Sequence, residues 1–279
     1  MIKIHPIQTG LVRIRESQGT RKPGGPVRIL FDRVWSDWLP IFAWAIEHPE
    51  GIILVDTGET SRVTEPGYLP PWHPFYRVAA SFDVKPVDEI GMQLRRVGIS
   101  PADVGTVILT HLHTDHAGGL HHFPRSRIFV ADDEHRGALG FLGKVNGYLP
   151  HRWPEWFAPE PVPFTPVAFG GFPRSYHVTR AGDVVIVPTP GHTPGHVSVI
   201  VRTGNRDYFL AGDASYAEKQ LVERRSDGVS RSARITVATI NRICDYLSSR
   251  PTVYLPSHDP ASAARLRTAQ ITHVTHPPS

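Results

Sequence analysis

Three imidazoles and a carboxylate stand within six positions of one another in Thr110-His111-Leu112-His113-Thr114-Asp115-His116-Ala117-Gly118-Gly119. Neutral imidazole and carboxylate are donors that zinc, iron, manganese and cobalt accept. Packing alone gives no reason to crowd them. Histidines this close would repel one another if protonated, and would lose hydration without return if buried unpartnered. The segment therefore reads as a metal site. A lone histidine would carry no such inference, because a buried imidazole satisfied by hydrogen bonds explains it equally well.

One such cluster cannot close two metal sites, so further ligands must come from elsewhere in the chain. His192 lies in Pro190-Gly191-His192-Thr193-Pro194-Gly195-His196, a rigid turn between two strand-like runs. Asp213 follows the apolar run at 208–211, and His258 follows the run at 252–255. Each comes directly after an apolar stretch, which places it at a sheet rim where loop side chains converge. Tyr216, in Gly212-Asp213-Ala214-Ser215-Tyr216, belongs to the same rim. Its phenol has two readings, a packing ring or a donor to a developing oxyanion.

The elements that must hold these residues are legible as short β-type runs at 3–7, 27–31, 41–47, 52–55, 107–109, 128–130, 184–187, 197–202, 208–211 and 252–255. Helical patterns lie near 86–97, 132–139 and 233–248. Strands first, then strands and helices interleaved twice, predict two sheets packed together with helices outside, in one α/β domain over 1–279. Two aromatic and Pro-rich insertions near 59–85 and 141–176 interrupt the pattern. Their Trp72, Phe75, Phe82, Tyr148, Trp153 and Phe157 are expected to wall an apolar substrate chain. The competing reading packs these segments on the domain or on a second subunit, with 59–85 as the contact of a homodimer.

Bulk properties narrow the classes. With 40% apolar and 20% charged residues, the 279-residue chain has a globular rather than a disordered composition. A net charge of +4 is a weak pull on anionic partners. The cluster Arg224, Arg225, Arg231 and Arg234 lacks interleaved aromatics, so no nucleic-acid face is expected. The single cysteine, Cys244, excludes an intrachain disulfide. It shares helical spacing with Ile240, Ile243 and Leu247 and reads as a buried thiol rather than a nucleophile. The first residues lack the apolar stretch of a signal peptide, and no run of about 18 apolar residues occurs. A soluble cytoplasmic protein with no membrane partner is the expectation.

The set HLHTDHAGG, PGHTPGH, GDASY and SHD resembles the metallo-β-lactamase superfamily, and its order is similar to that of the N-acyl homoserine lactone lactonases. The likeness runs from about Ile41 through His258. It implies an αββα sandwich of two mixed β-sheets flanked by helices. It also implies two divalent metal ions, zinc foremost, with iron, cobalt or manganese as substitutes. By the resemblance, His111, His113 and His192 would hold one ion, Asp115, His116 and His258 the other, and Asp213 would bridge them. Asp56, in LVDTG, matches the superfamily's first motif and would orient a histidine ligand. His196 would support the site rather than ligate. The tail histidines His273 and His276 are expected to fray. Tyr216 matches a tyrosine that hydrogen-bonds the lactone in the lactonases.

Two metals roughly 3.5–4 Å apart lower the pKa of bound water toward about 7, so a shared hydroxide is a nucleophile at neutral pH without serine or cysteine. One metal polarises the carbonyl, the other stabilises the departing oxygen, and Asp115 doubles as a proton shuttle to the leaving alkoxide. The implied reaction is hydrolysis of the ester bond of N-acyl homoserine lactones, that is, quorum quenching. Zinc β-lactamases are exported and usually carry cysteine where Asp213 stands. Flavodiiron proteins typically place glutamate at the position of His113. A glyoxalase II-like thioesterase shares all seven ligands; no clear basic set for glutathione stands near the C-terminus, Arg265 and Arg267 excepted. Organophosphate or aryl ester hydrolysis, another lactone, and a non-catalytic metal-binding module are the remaining alternatives.

Overall fold

In residues 39–48 bulky and small side chains alternate, Phe42, Trp44 and Ile46 against Ala43 and Ala45. One face of such a strand can meet a second sheet while the other accepts a helix. The computed structural model, which describes residues 2–230 and 232–274, has that arrangement; Arg231 and His276 lie outside the described residues.

The first sheet contains β1 (Lys3–Ile14), β2 (Leu39–His48), β3 (Gly51–Val55), β4 (Ala80–Asp83), β5 (Val104–Ile108), β6 (Arg127–Val130) and β7 (Glu160–Pro161), in the order β4-β1-β2-β3-β5-β6-β7. The second contains β8 (Tyr176–His177), β9 (Val184–Pro188), β10 (Val197–Arg202), β11 (Asp207–Gly212) and β12 (Thr252–Pro256), in the order β12-β11-β10-β9-β8. Both are mixed: β3, β5, β6 and β7 run parallel and β1 to β3 antiparallel, while β11 and β12 are the parallel pair of the second sheet.

Phe42, Trp44, Ile46, Val55 and Ile108 meet Ile186, Val199, Leu210 and Leu255 between the sheets. On the outer face of the first sheet, Ala43, Ala45 and Val107 pack with Ile90 and Leu94 of the helix Ile90–Arg96. On the outer face of the second, Val185, Ile200 and Phe209 meet Ile240, Ile243 and Leu247 of the helix Ala233–Ser249. Helix, sheet, sheet, helix is the expected sandwich. Cys244 is buried in that outer layer, as its spacing predicts, and burial pushes its thiol pKa up.

The expected strand at 27–31 is instead the helix Pro26–Phe31. Gly24 and Gly25 turn the chain with positive φ and Pro26 presets the first helical residue, which overrides the β-rich composition of the run. The insertion at 59–85 is more ordered than a loop, since it holds the helix Pro74–Val78 and β4, which pairs antiparallel with β1. The helical pattern at 86–97 begins as a 3-10 turn, Pro86–Asp88, before the helix proper. Arg224 donates to Asn241 Oδ1 and Arg225 pairs with Glu223, so these arginines make ordinary surface contacts. Among the described residues, no helix is long and apolar enough to cross a membrane.

Candidate metal centre

Five strand ends converge on one rim. Asp56 follows β3, the His111–His116 segment follows β5, His192 follows β9, Asp213 follows β11 and His258 follows β12. His113 Nδ1 lies 3.1 Å from His111 Nε2 and 3.0 Å from His192 Nε2, so three ring nitrogens close on one point. A second group joins His116 Nε2 and His258 Nε2, each 3.4 Å from Asp213 Oδ1, with Asp115 Oδ2 3.4 Å from His258 Nε2. Asp213 Oδ2 faces the first group, 3.5 Å from His192 Nε2. One carboxylate thus offers an oxygen to each half.

Donor separations of this size are the edges of a coordination shell with bonds of about 2.0–2.1 Å. His116 Nε2 and Asp213 Oδ1 are buried with no hydrogen-bond partner. Orphaned buried atoms cost about 1–3 kcal/mol each unless something fills the gap between them. A pair of cations answers that deficit, and the donor set suits it.

Of the five remaining ring nitrogens, four are pinned by hydrogen bonds, and His192 Nδ1 has only the longer approach of a carboxylate. His116 Nδ1 bonds Asp56 Oδ2 at 2.8 Å, His258 Nδ1 donates to Pro40 O at 2.9 Å, and His111 Nδ1 meets Thr110 Oγ1 at 3.1 Å. His113 Nε2 meets Asn146 O at 3.2 Å, and Asp227 Oδ2 stands 3.6 Å from His192 Nδ1. Pinning one nitrogen fixes the tautomer and aims the other inward. Asp56 adopts φ 61° and also accepts from Thr110 N–H at 2.7 Å, so it ties the β3 end to the histidine segment.

His196 does not face the cluster with a free nitrogen. Its Nε2 accepts the Asp213 N–H at 3.0 Å and its Nδ1 pairs with Thr189 Oγ1 at 2.8 Å, so it positions Asp213. Gly212, at φ 56°, allows that approach; a Cβ there would lie 2.8 Å from both His196 Nε2 and Thr110 Oγ1.

Burial, with neighbouring imidazoles, holds the His111 pKa well below the usual range and those of His113 and His196 at about 3. For His116, His192 and His258 burial pulls the same way, but carboxylates outweigh it and the pKa rises. Asp213 acts on all three, joined by Asp56 and Asp115 at His116, Asp227 at His192 and Asp115 at His258. Asp213 itself is held well below the carboxylate range, despite burial, by His258 and His116. Metal binding therefore competes with protons at His116, His192 and His258 up to higher pH than at free imidazoles.

A cavity of about 620 Å³ opens on the centre. Its walls are mostly apolar, with Val12, Ile14 and Leu39 from β1 and β2, Val27 and Leu30 from the helix Pro26–Phe31, and Ile235. Of the aromatic residues expected to wall it, Phe75, Phe82 and Tyr148 do so. Trp72 is 61% exposed and outside it. Trp153 packs edge-on against Phe157 at 5.1 Å beside His135, and lines a separate cavity with Leu112 and Ala117. Packing against the short helix Asp132–Leu139 draws both rings away from the centre.

Tyr216 lines the main cavity with its ring 5.6 Å from that of His258, and its hydroxyl accepts from Gln18 Nε2 at 3.3 Å. Burial, then Asp213 and Asp227, push its pKa well above the phenol range, so it stays a donor. Asp115 lines the same cavity.

Sequence reasoning passed over Gln18, Asp227 and Glu134. Glu134 is buried and accepts four hydrogen bonds: Leu112 N–H (3.1 Å) and the Tyr148 hydroxyl (2.8 Å) on one oxygen, Thr193 hydroxyl (2.7 Å) and Gly195 N–H (3.2 Å) on the other. Nothing local separates it from Asp132 and Asp133, and Gln18 reaches Tyr216 from 198 positions away. No sequence signal marks either. Arg265 is buried in ion pairs with Glu218 (3.0 Å) and Asp259 (2.5 Å), and neither it nor Arg267 lines the cavity.

The sequence pattern of the metallo-beta-lactamase superfamily matches residues 36–258. The chain is 28% identical to N-acyl homoserine lactonase AttM of Agrobacterium fabrum over 243 residues, 83% of this chain and 86% of that protein. Against N-acyl homoserine lactonase AiiA of Bacillus thuringiensis subsp. kurstaki, identity is 29% over 229 residues, 79% and 82% of the two chains. A probable metallo-hydrolase of Mycobacterium tuberculosis is 32% identical over 176 residues, 61% of this chain and 55% of that one. In fold, the chain matches an N-acyl homoserine lactone hydrolase solved with the product N-hexanoyl-L-homoserine at its catalytic metal center. The TM-score is 0.75, with 23% identity and 96% of each chain covered.

Proposed function

The chain belongs to the metallo-β-lactamase superfamily, and on that premise we propose that it is a dinuclear metal-dependent lactonase that opens the ester ring of N-acyl homoserine lactones. The observation that carries this reading is the meeting of three features on one rim: the seven-donor centre, the Tyr216 hydroxyl and an apolar cavity. Relatives that are N-acyl homoserine lactonases at 28–29% identity support it.

In this reading His111, His113 and His192 hold one ion, Asp115, His116 and His258 hold the other, and Asp213 bridges. Zinc suits these donors, and iron, cobalt and manganese are accepted by the same chemistry. When bound, the ions supply an activated water and polarise the ester carbonyl. The chain does the rest. Tyr216 donates to the carbonyl oxygen as negative charge develops there, and Gln18 holds the hydroxyl in place. Asp115, only partly buried and lining the cavity, carries a proton to the alkoxide oxygen that leaves the ring. Val27, Leu30, Phe75 and Phe82 receive the acyl chain and exclude water around it. A glutathione thioester is less well served, because the ion pairs of Arg265 leave it no charge to offer a ligand.

The test is turnover by the metal-loaded protein on acyl homoserine lactones of graded chain length, beside S-lactoylglutathione and paraoxon. The expected result is a lactone kcat/KM far above the other two, rising with chain length as the cavity fills. Thioester or phosphotriester turnover without lactone turnover would overturn the substrate assignment and leave the metal centre standing.

A further inference from the structure

A second set of metal donors stands outside the centre and outside the cavity. Glu89 immediately precedes the helix Ile90–Arg96, and His121 and His122 end the 3-10 turn Leu120–His122. Glu89 Oε1 is fully engaged, accepting from Ser61 N–H at 2.9 Å, Ser61 Oγ at 2.6 Å and Thr60 Oγ1 at 3.1 Å. That clamp aims Oε2 at both imidazoles, with His122 Nε2 at 3.0 Å and His121 Nε2 at 3.4 Å.

The two rings lie side by side, their centroids 4.1 Å apart and their planes inclined at 38°. The three donor atoms all fall within 4.8 Å of one another. His122 reaches this position because residue 91 is glycine, where a Cβ would stand 2.7 Å from His122 Nδ1. His121 is half-exposed, so one side of the group is open to water.

The ionisation states suit a cation. Burial is outweighed at Glu89 by the Ser61 bonds and the two histidines, which bring its pKa to about 2, while burial and His121 hold the His122 pKa below the usual range. A carboxylate and neutral imidazole are thus present together near neutrality, as ligation requires. Hydrogen bonding alone needs no such convergence, since the half-exposed His121 has solvent available to it. A fixed carboxylate oxygen shared by two Nε2 atoms is the arrangement of a coordination shell whose outer oxygen is held by hydrogen bonds.

We propose that Glu89, His121 and His122 form a further divalent-metal site, separate from the catalytic pair, for zinc or another ion of similar preference such as cobalt(II). Two imidazole nitrogens and one carboxylate oxygen ligate, and water completes a tetrahedral shell. An ion there ties the Thr60–Ser61 turn, which follows the Asp56 motif, to the turn that follows His116. This site does not rest on the lactonase reading.

The experiment titrates tag-free, zinc-loaded protein with cobalt(II) by equilibrium dialysis with elemental analysis, for the full chain and for His121→Asn and Glu89→Gln. Wild type is expected to take one more ion per chain than either variant. The variants' affinity for that ion should fall by at least the roughly tenfold that loss of a mere supporting partner costs. Ester turnover should be unchanged, since none of the three residues lines the cavity. Equal metal uptake by wild type and His121→Asn overturns the proposal, however many ions the catalytic centre holds. If Glu89→Gln loosens the Thr60–Ser61 turn, seen as a lowered Tm, the half-exposed His121→Asn still decides.

Discussion

Asp213 and Tyr216 stand three residues apart and separate two kinds of contribution. Asp213 presents one oxygen to each group of donors, so Asp213→Ala should lower metal content and abolish turnover together. Tyr216 touches no proposed ligand atom by hydrogen bond; its hydroxyl meets Gln18 and the cavity. Tyr216→Phe should therefore leave metal content intact and lower kcat on the order of 10²-fold, the usual effect of removing one oxyanion donor. Elemental analysis beside steady-state kinetics reads both. A phenylalanine variant with wild-type kcat on several lactones would reduce Tyr216 to a packing ring.

At the scale of elements, the centre depends on two loops that leave different sheets, the segment after β5 and the turn after β9. Glu134, from the helix Asp132–Leu139, joins them by accepting from Leu112 on one and from Thr193 and Gly195 on the other. Glu134→Gln keeps the shape but turns one acceptor into a donor. The Tyr148 or Thr193 hydroxyl can rotate away; the backbone N–H beside it cannot. One orphaned buried N–H should cost about 1–3 kcal/mol, measured by urea unfolding of the metal-free protein. The variant should also bind metal more weakly by roughly 10- to 100-fold, as expected when an outer partner of the ligands is lost. Wild-type stability and affinity in this variant would show that the loops hold their places without it.

For the whole molecule, metal loading and protonation are linked. In the metal-free protein the pKa values of His116, His192 and His258 are raised, so these rings keep their protons to higher pH than a free imidazole does. Their contribution to stability is fully present below the ordinary imidazole pKa and is lost as pH rises through the raised values. Bound metal replaces those protons, so the loaded protein does not suffer that loss. The Tm difference between loaded and chelator-treated protein should accordingly widen from mildly acidic to alkaline pH. Loading should also release more protons near neutrality than in alkaline buffer. A Tm difference that narrows with rising pH would contradict the signs assigned to these three histidines.

The sequence by itself marked the candidate donors and determined the layers. Imidazole and carboxylate at close spacing have few uses besides metal, and apolar runs ending in polar turns mark strand rims; both are local properties that survive without the fold. The same locality set the limits of reading. The run at 27–31 has strand-forming residues, yet Gly24, Gly25 and Pro26 made it a helix and a cavity wall. Trp153 and Phe157 have the chemistry of a substrate wall, but packing beside His135 turned them elsewhere. Gln18, Asp227 and Glu134 meet the centre across long stretches of chain, and His121 and His122 meet Glu89 across more than a helix. Such partners carry no periodicity or spacing of their own. Only the tertiary structure decided them, because a buried polar atom takes its partner from whatever the packed layers bring within about 3 Å of it.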